Sequence, residues 1–175
     1  MNLNSHHIQQ EIFKNQILAS VPLKKQLWQQ TIVEKIRNQG MLLEKITKST
    51  NSFEFLAGKV LSGDTSNMEG VAAQSYWKHF PIPTLEQGGI KRERYGAYPN
   101  NFLNYGYAIL RAATARALSG SGLLNTLGIH HKSKYNAFAL ADDIMEPFRA
   151  VVDEKVFEIM QHYEEQELNA AIKSE

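Results

Sequence analysis

The sequence predicts an all-α fold arranged as one multi-helix domain, and three observations carry that prediction. Apolar residues recur three and four positions apart through most of the chain, which is the period of an amphipathic helix. Alternating apolar and polar runs, the mark of half-buried strands, are nearly absent. A chain of 175 residues, 43% of them hydrophobic, is long and apolar enough to bury one core, and it shows no internal repeat, low-complexity segment or evident linker.

Taken in order, Ile8, Ile12, Phe13, Ile17 and Leu18 place a first helix between Ser5 and Ser20, with Ser5 as its cap. Pro22 suits the first turn of a second helix, whose face of Leu23, Leu27, Trp28, Ile32 and Ile36 runs to Gly40, the expected stop, before Met41 to Thr47. Phe53, Phe55, Leu56, Val60 and Leu61 read as a short helix closed by Ser62-Gly63. The turn Asp64-Thr65-Ser66 precedes a helix from Asn67 to Phe80, stopped by Pro81 and Pro83. Residues 81–101, with three prolines and Gly88-Gly89, read as a long loop, and loops of that length inside a domain are usually functional or disordered. An Ala-rich buried helix follows from Asn101 to Ser119. Gly120-Ser121-Gly122 breaks it, and Gly128 opens a histidine loop. The last helix starts near Asn136 and is kinked or restarted at Pro147, which lacks the N–H that would bond the Asp143 carbonyl.

Composition narrows the function. With no cysteine there is neither a disulfide framework nor a thiolate zinc site, so any metal must use histidine and carboxylate. A net charge of +1 is not that of a broadly basic nucleic-acid-binding domain, so any nucleic-acid contact has to be local. No apolar run approaches the ~20 residues that span a bilayer, and the first residues lack the pattern of a signal peptide. These readings point to a soluble cytoplasmic protein without a membrane partner.

Chemistry concentrates between Gly128 and Arg149. His130 and His131 lie in a polar loop, where an extended backbone would aim their rings to opposite sides; sequence order does not choose between them, and a solvated basic loop is the plainer reading. Asp142, Asp143 and Glu146 are three and four apart on half-buried ground, where such a cluster needs a cation. Before Pro147, Glu146 takes a position like an N-cap, which fixes the direction of its carboxylate. Upstream, Ser66-Asn67-Met68-Glu69 matches a capping box, and a metal role for Glu69 is the sharper alternative. Two carboxylates and one imidazole suit magnesium or manganese, the histidine tilting the preference to manganese. An iron site of two histidines and one carboxylate would need His130 or another histidine to join.

Met68-Glu69-Gly70 with Tyr76, Leu103-Asn104-Tyr105-Gly106-Tyr107-Ala108-Ile109-Leu110, and Gly128-Ile129-His130-His131 followed by Asn136, Phe138, Leu140 and Asp143 to Arg149 together resemble the CRISPR-associated integrase family, Cas protein one. The match extends over most of residues 64–153. The resemblance implies that Glu69, His131 and Glu146 are the metal ligands and catalytic residues, His131 because the family's histidine stands second in the pair, and that Asp143 lies in a second shell or serves as an alternative ligand. Use of Glu146 is most similar to members from type II systems. It further implies Mg2+ or Mn2+, attack of a prespacer 3′ hydroxyl on CRISPR repeat DNA, a homodimer, and a small ferredoxin-like partner, Cas protein two. Residues of about 1–62 would be supporting helices and 63–168 the metal-site half. Family members also carry an N-terminal β domain, whereas this sequence begins almost directly with helix, so it reads as a truncated fragment lacking that domain.

Arg92 and Arg94, together with Lys132 and Arg149, are the candidate phosphate contacts, Arg149 also being spaced to pair with Asp153 or the site carboxylates. Two alternatives remain: a fragment that binds DNA without chemistry, and a helical scaffold whose acids only solvate a surface.

Overall fold

The computed structural model describes residues 7–82, 89–163 and 167–174. Among them are eight α-helices and two short 3₁₀ turns, with no strand. The expected Ser5 cap, Pro83 and Gly88 lie outside the described residues.

Helix α1 (His7–Ile17) leads into α2 (Val21–Thr47), a 27-residue rod, about 40 Å at 1.5 Å per residue, around which the rest is built. Ser20 opens α2 by accepting the Leu23 N–H at 3.3 Å, with Pro22 in the first turn, and Lys48 closes it in the left-handed conformation. Gly40 does not stop α2. A Cβ there would come 2.5 Å from the Phe53 Cβ, so the glycine is the notch into which the next helix packs, and its carbonyl accepts from Asn51 at 2.8 Å. Tertiary packing thus overrides the helix-breaking tendency of glycine.

The short α3 (Phe53–Ala57) ends earlier than its apolar run suggests, and a 3₁₀ turn at Ser62–Asp64 leads to α4 (Met68–His79). Both helices and the turn pack on α2. Helix α5 (Asn100–Gly120) lies against α6 (Ala139–Ile144) and α7 (Arg149–His162), and α8 (Ala170–Ser174) ends the chain. Trp28, Ile32 and Ile36 of α2 meet Tyr76 and Phe80 of α4, Leu103 of α5 and Met145 in the main core. A smaller cluster of Ala115, Leu118, Leu140 and Ala141 joins α5 to α6.

The described part of the 81–101 loop is ordered by two side chains at the head of α5. Asn100 accepts from the Glu93 N–H at 3.0 Å and donates to the Lys91 carbonyl at 3.1 Å, and Asn104 donates to the Arg94 carbonyl at 2.8 Å. Ile82 and Ile90 anchor the loop in the core. The last helical region begins at Ala139 rather than Asn136, because Asn136 turns its side chain to the Phe138 N–H and to Asp142. It breaks at Pro147 as expected: α6 ends at Ile144, a 3₁₀ turn spans Glu146–Phe148, and α7 restarts at Arg149.

Candidate active site

Glu69 stands in the first turn of α4, but the capping box does not form. Asp64, two residues upstream of Ser66, caps the helix by accepting the Met68 N–H at 2.8 Å and the Glu69 N–H at 3.0 Å. Ser66 instead donates to the Lys59 carbonyl at 3.2 Å. The left-handed turn at Asn67 brings Asp64 under the open amides and frees the Glu69 side chain to point elsewhere.

It points at Lys35. The Lys35 ammonium lies 2.6 Å from Glu69 Oε1 and 2.6 Å from Glu146 Oε2, so one cation stands between two carboxylates from different parts of the chain. The Lys35 and Glu146 side chains are 9% and 6% exposed, so the pair is held almost out of water. Arg149 closes the other face, its Nη2 2.8 Å from Glu146 Oε1. Burial pushes the Glu146 carboxyl up, but Lys35 and Arg149 outweigh it and hold the group below its ordinary value. For Arg149, burial acts to lower the pKa and Glu146 raises it by more. Glu146 is the first residue of the 3₁₀ turn rather than a cap, and Asn38 of α2 fixes that turn by donating to the Pro147 carbonyl at 2.8 Å.

The histidine loop is built around Asp143, which is fully buried. Its Oδ2 accepts the N–H groups of Ile129 at 2.6 Å and His130 at 2.8 Å, and its Oδ1 accepts that of His131 at 3.3 Å and lies 2.5 Å from His131 Nδ1. An acceptor already serving three amides requires Nδ1 of His131 to be the donor, which leaves the lone pair on Nε2. Gly128 permits this wrap: a Cβ would sit 2.4 Å from the His131 carbonyl oxygen and 2.9 Å from Asp143 Oδ2. His130 stacks flat on Trp28 of α2, centroids 4.2 Å apart, while His131 meets the same ring edge-on at 6.1 Å.

Alongside Arg149 opens a cavity of about 690 Å³, lined by Arg92, Arg94, Tyr95, Tyr107 and Arg111 among others. Arg92 is held by Asn100 and by Asn104 at 2.9 Å, with its guanidinium over the rings of Trp77 and Tyr107. Arg111 pairs with Asp142, Nε to Oδ1 at 2.7 Å and Nη2 to Oδ2 at 3.0 Å. Beneath the cavity, Asp153 is fully buried and accepts from the hydroxyls of Tyr76, at 2.9 Å, and Tyr107. Burial raises its carboxyl to about 6, against the hydrogen bonds of the two tyrosines and the nearby charges of Arg149 and Arg92.

The structure therefore brings Glu69 and Glu146 together and sets His131 with Asp143 rather than with the two glutamates. Among the described residues no three His, Asp or Glu side chains form a ready metal cluster. The acidic trio is not one cluster in need of one cation: Asp142 goes to Arg111, Asp143 to the loop amides, and Glu146 to Lys35 and Arg149. Arg149 pairs with Glu146, and its guanidinium lies 4.5 Å from the Tyr107 ring centroid. Arg94 and Lys132 are exposed. Sequence reasoning missed Lys35, within the segment assigned to support alone, although a lysine amid Trp28, Ile32, Ile36 and Gln39 stands on an otherwise buried stripe and so requires a partner. It missed Arg111 because its neighbours on α5 read only as a packing face.

Fold and site together define an all-helical domain in which acidic and basic side chains from α2, α4, α7 and the Glu146 turn meet at one centre, with a histidine oriented separately by Asp143. The chain belongs to the family of the CRISPR associated protein Cas1, whose family model matches residues 4–171. It is 38% identical over 173 residues to a CRISPR-associated endonuclease Cas1 of Neisseria meningitidis, covering 95% of this chain and 53% of that protein. A Francisella tularensis subsp. novicida CRISPR-associated endonuclease Cas1 is 30% identical over 161 residues, 82% of this chain and 51% of that protein, so the chain spans about half the length of these curated relatives. The same fold occurs in a casposase bound to integration product, with TM-score 0.75 and 21% identity over 90% of this chain and 52% of that one. It occurs also in a partial Cas6-RT-Cas1–Cas2 complex, with TM-score 0.73 and 24% identity over 95% of this chain and 53% of that one. No helix among the described residues is long and apolar enough to cross a membrane.

Proposed function

We propose that this chain is the catalytic helical portion of a Cas1 endonuclease and integrase, working on DNA in CRISPR spacer acquisition together with a Cas2 partner and a second Cas1 copy. The observation that carries the proposal is the pair of facing carboxylates, Glu69 and Glu146, both 2.6 Å from one buried cationic atom. By chemistry, two carboxylates and an imidazole are donors that suit a divalent ion. Glu146 is buried with Oε2 facing the Lys35 ammonium, a cation's place, and His131, its Nδ1 tied to a carboxylate, has the outer-shell support typical of a metal-bound imidazole. Glu69, Glu146 and Nε2 of His131 would hold Mg2+ or Mn2+, which when bound supplies Lewis acidity toward a phosphate oxygen.

The chain's own residues account for the rest. Asp143 keeps His131 in one tautomer and orientation, and Lys35 and Arg149 together hold the Glu146 carboxyl below its ordinary value in buried surroundings. Arg92 and Arg94 give the adjoining cavity cationic side chains for a DNA backbone, with exposed Lys132 adding to them on the histidine loop. The reaction is a transesterification: the 3′ hydroxyl of one strand forms a new bond to a repeat phosphorus as the bond to the leaving 3′ oxygen breaks, the attacking hydroxyl losing a proton and the leaving oxygen gaining one.

A second reading, DNA binding without chemistry, is favoured by the position of Lys35, which rather than His131 stands between the glutamates. The two are separated by manganese-dependent nicking and joining of branched DNA, comparing the chain with Glu69→Gln and His131→Ala. Loss of product in both variants is the expected result, and equal product in all three overturns the catalytic reading. Salt-sensitive binding with no metal-dependent product identifies the second.

A further inference from the structure

The residue with the least conventional position is Lys35. A lysine at the middle of a buried helix face ordinarily carries its ammonium to water along its flexible stem. Here the side chain is only 9% exposed and ends at 2.6 Å from each of two carboxylates. Those carboxylates come from α4 and from the turn before α7, elements that touch α2 separately. One ammonium therefore bridges two elements that pack at different places on the central rod. Without it, Glu69 and Glu146 would face each other with only Arg149 in support, and of the two glutamates Arg149 pairs with Glu146.

We propose that Lys35 is a positioning residue that acts as a tethered stand-in for the divalent ion: it keeps the two glutamates facing each other before metal arrives, and metal must displace it to load. This rests on the reading of Glu69 and Glu146 as ligands. Two cations cannot share so small a space between the same oxygens, so ammonium and metal compete for them. Lys35 thus weakens metal binding while keeping the site assembled, and the carboxylate pair need not be organised by the metal itself.

The test is Mn2+ affinity, measured by the loss of free-ion electron paramagnetic resonance signal, together with the rise in melting temperature on adding Mn2+. Lys35→Met should bind Mn2+ about tenfold more tightly than the natural chain, the scale of an ordinary binding linkage. It should also show the larger Mn2+-dependent rise in melting temperature. Lys35→Arg, which keeps the charge, should bind like the natural chain, and adding Glu69→Gln to Lys35→Met should abolish the gain. Lys45→Met removes an exposed lysine paired with Glu154 and controls for charge alone, so its Mn2+ affinity should be unchanged. If Lys35→Met does not fold, Lys35→Gln carries the same comparison. If the natural chain binds Mn2+ and neither neutral variant binds more tightly, the competition is refuted and the ligand reading stands. If none binds Mn2+, both fall.

Discussion

Asp153→Asn probes the one carboxyl that is fully buried beneath the arginine cavity, and its effect can be worked out from the structure. The folded group titrates at about 6 against an ordinary 3.8, the largest influence being burial. A difference of that size corresponds to about 3 kcal/mol at roughly 1.4 kcal/mol per pH unit. The sign follows from proton binding. Between the two values the folded chain holds a proton that the unfolded chain has lost, so this contribution to stability is complete below 3.8 and is lost as pH rises through 6. Asparagine has no such titration, and its carbonyl can still accept from Tyr76 or Tyr107. The stability of Asp153→Asn relative to the natural chain should therefore improve by about 3 kcal/mol between acid and neutral pH, most of it from about pH 4 to pH 6.5. Glu146, held below its ordinary value, slopes the other way as pH falls, but it does so in both proteins and cancels in the difference. Urea unfolding at a series of pH values measures this directly. A relative stability that stays flat across the range would show that Asp153 does not titrate as its burial dictates.

The remaining predictions are structural. Asp64→Ala should cost about 1–2 kcal/mol in thermal or urea unfolding, because it opens the amides of Met68 and Glu69, whereas Ser66→Ala should cost less; the reverse order would restore the capping box. Gly128→Ala should destabilise by about 1–3 kcal/mol and speed amide exchange at residues 129–131, since the added carbon meets the His131 carbonyl oxygen at 2.4 Å. Arg94→Ala should reduce the salt slope of DNA binding by about one, as expected for a lost phosphate contact from an exposed arginine of the cavity, and unchanged binding at several salt concentrations would remove Arg94 from the interface.

Much of the architecture was legible in local pattern. Helical periodicity located α4 and α5 to within a few residues and the start of α2, because these helices bury apolar side chains at helical spacing, whereas α1 shows the same period while leaving Ile8 and Ile17 exposed. The break at Pro147 was legible for a covalent reason, the missing N–H. Gly40 was misread as a stop because a lone glycine carries no record of the phenylalanine that will need its space. The cap of α4 was assigned to Ser66 because spacing alone cannot reveal that a left-handed residue at Asn67 swings Asp64 beneath the amides.

Sequence by itself determined the all-helical class, the family, and the identity of the chemically capable side chains, since periodicity and motif are properties of neighbours along the chain. Tertiary structure alone decided how those side chains divide among partners. It separated Asp142, Asp143 and Glu146, tied His131 to Asp143, and carried Lys35 across 34 residues to Glu69. The reason is physical: a buried charge must find its counter-charge wherever packing places one, and that choice depends on which helices touch rather than on which residues adjoin.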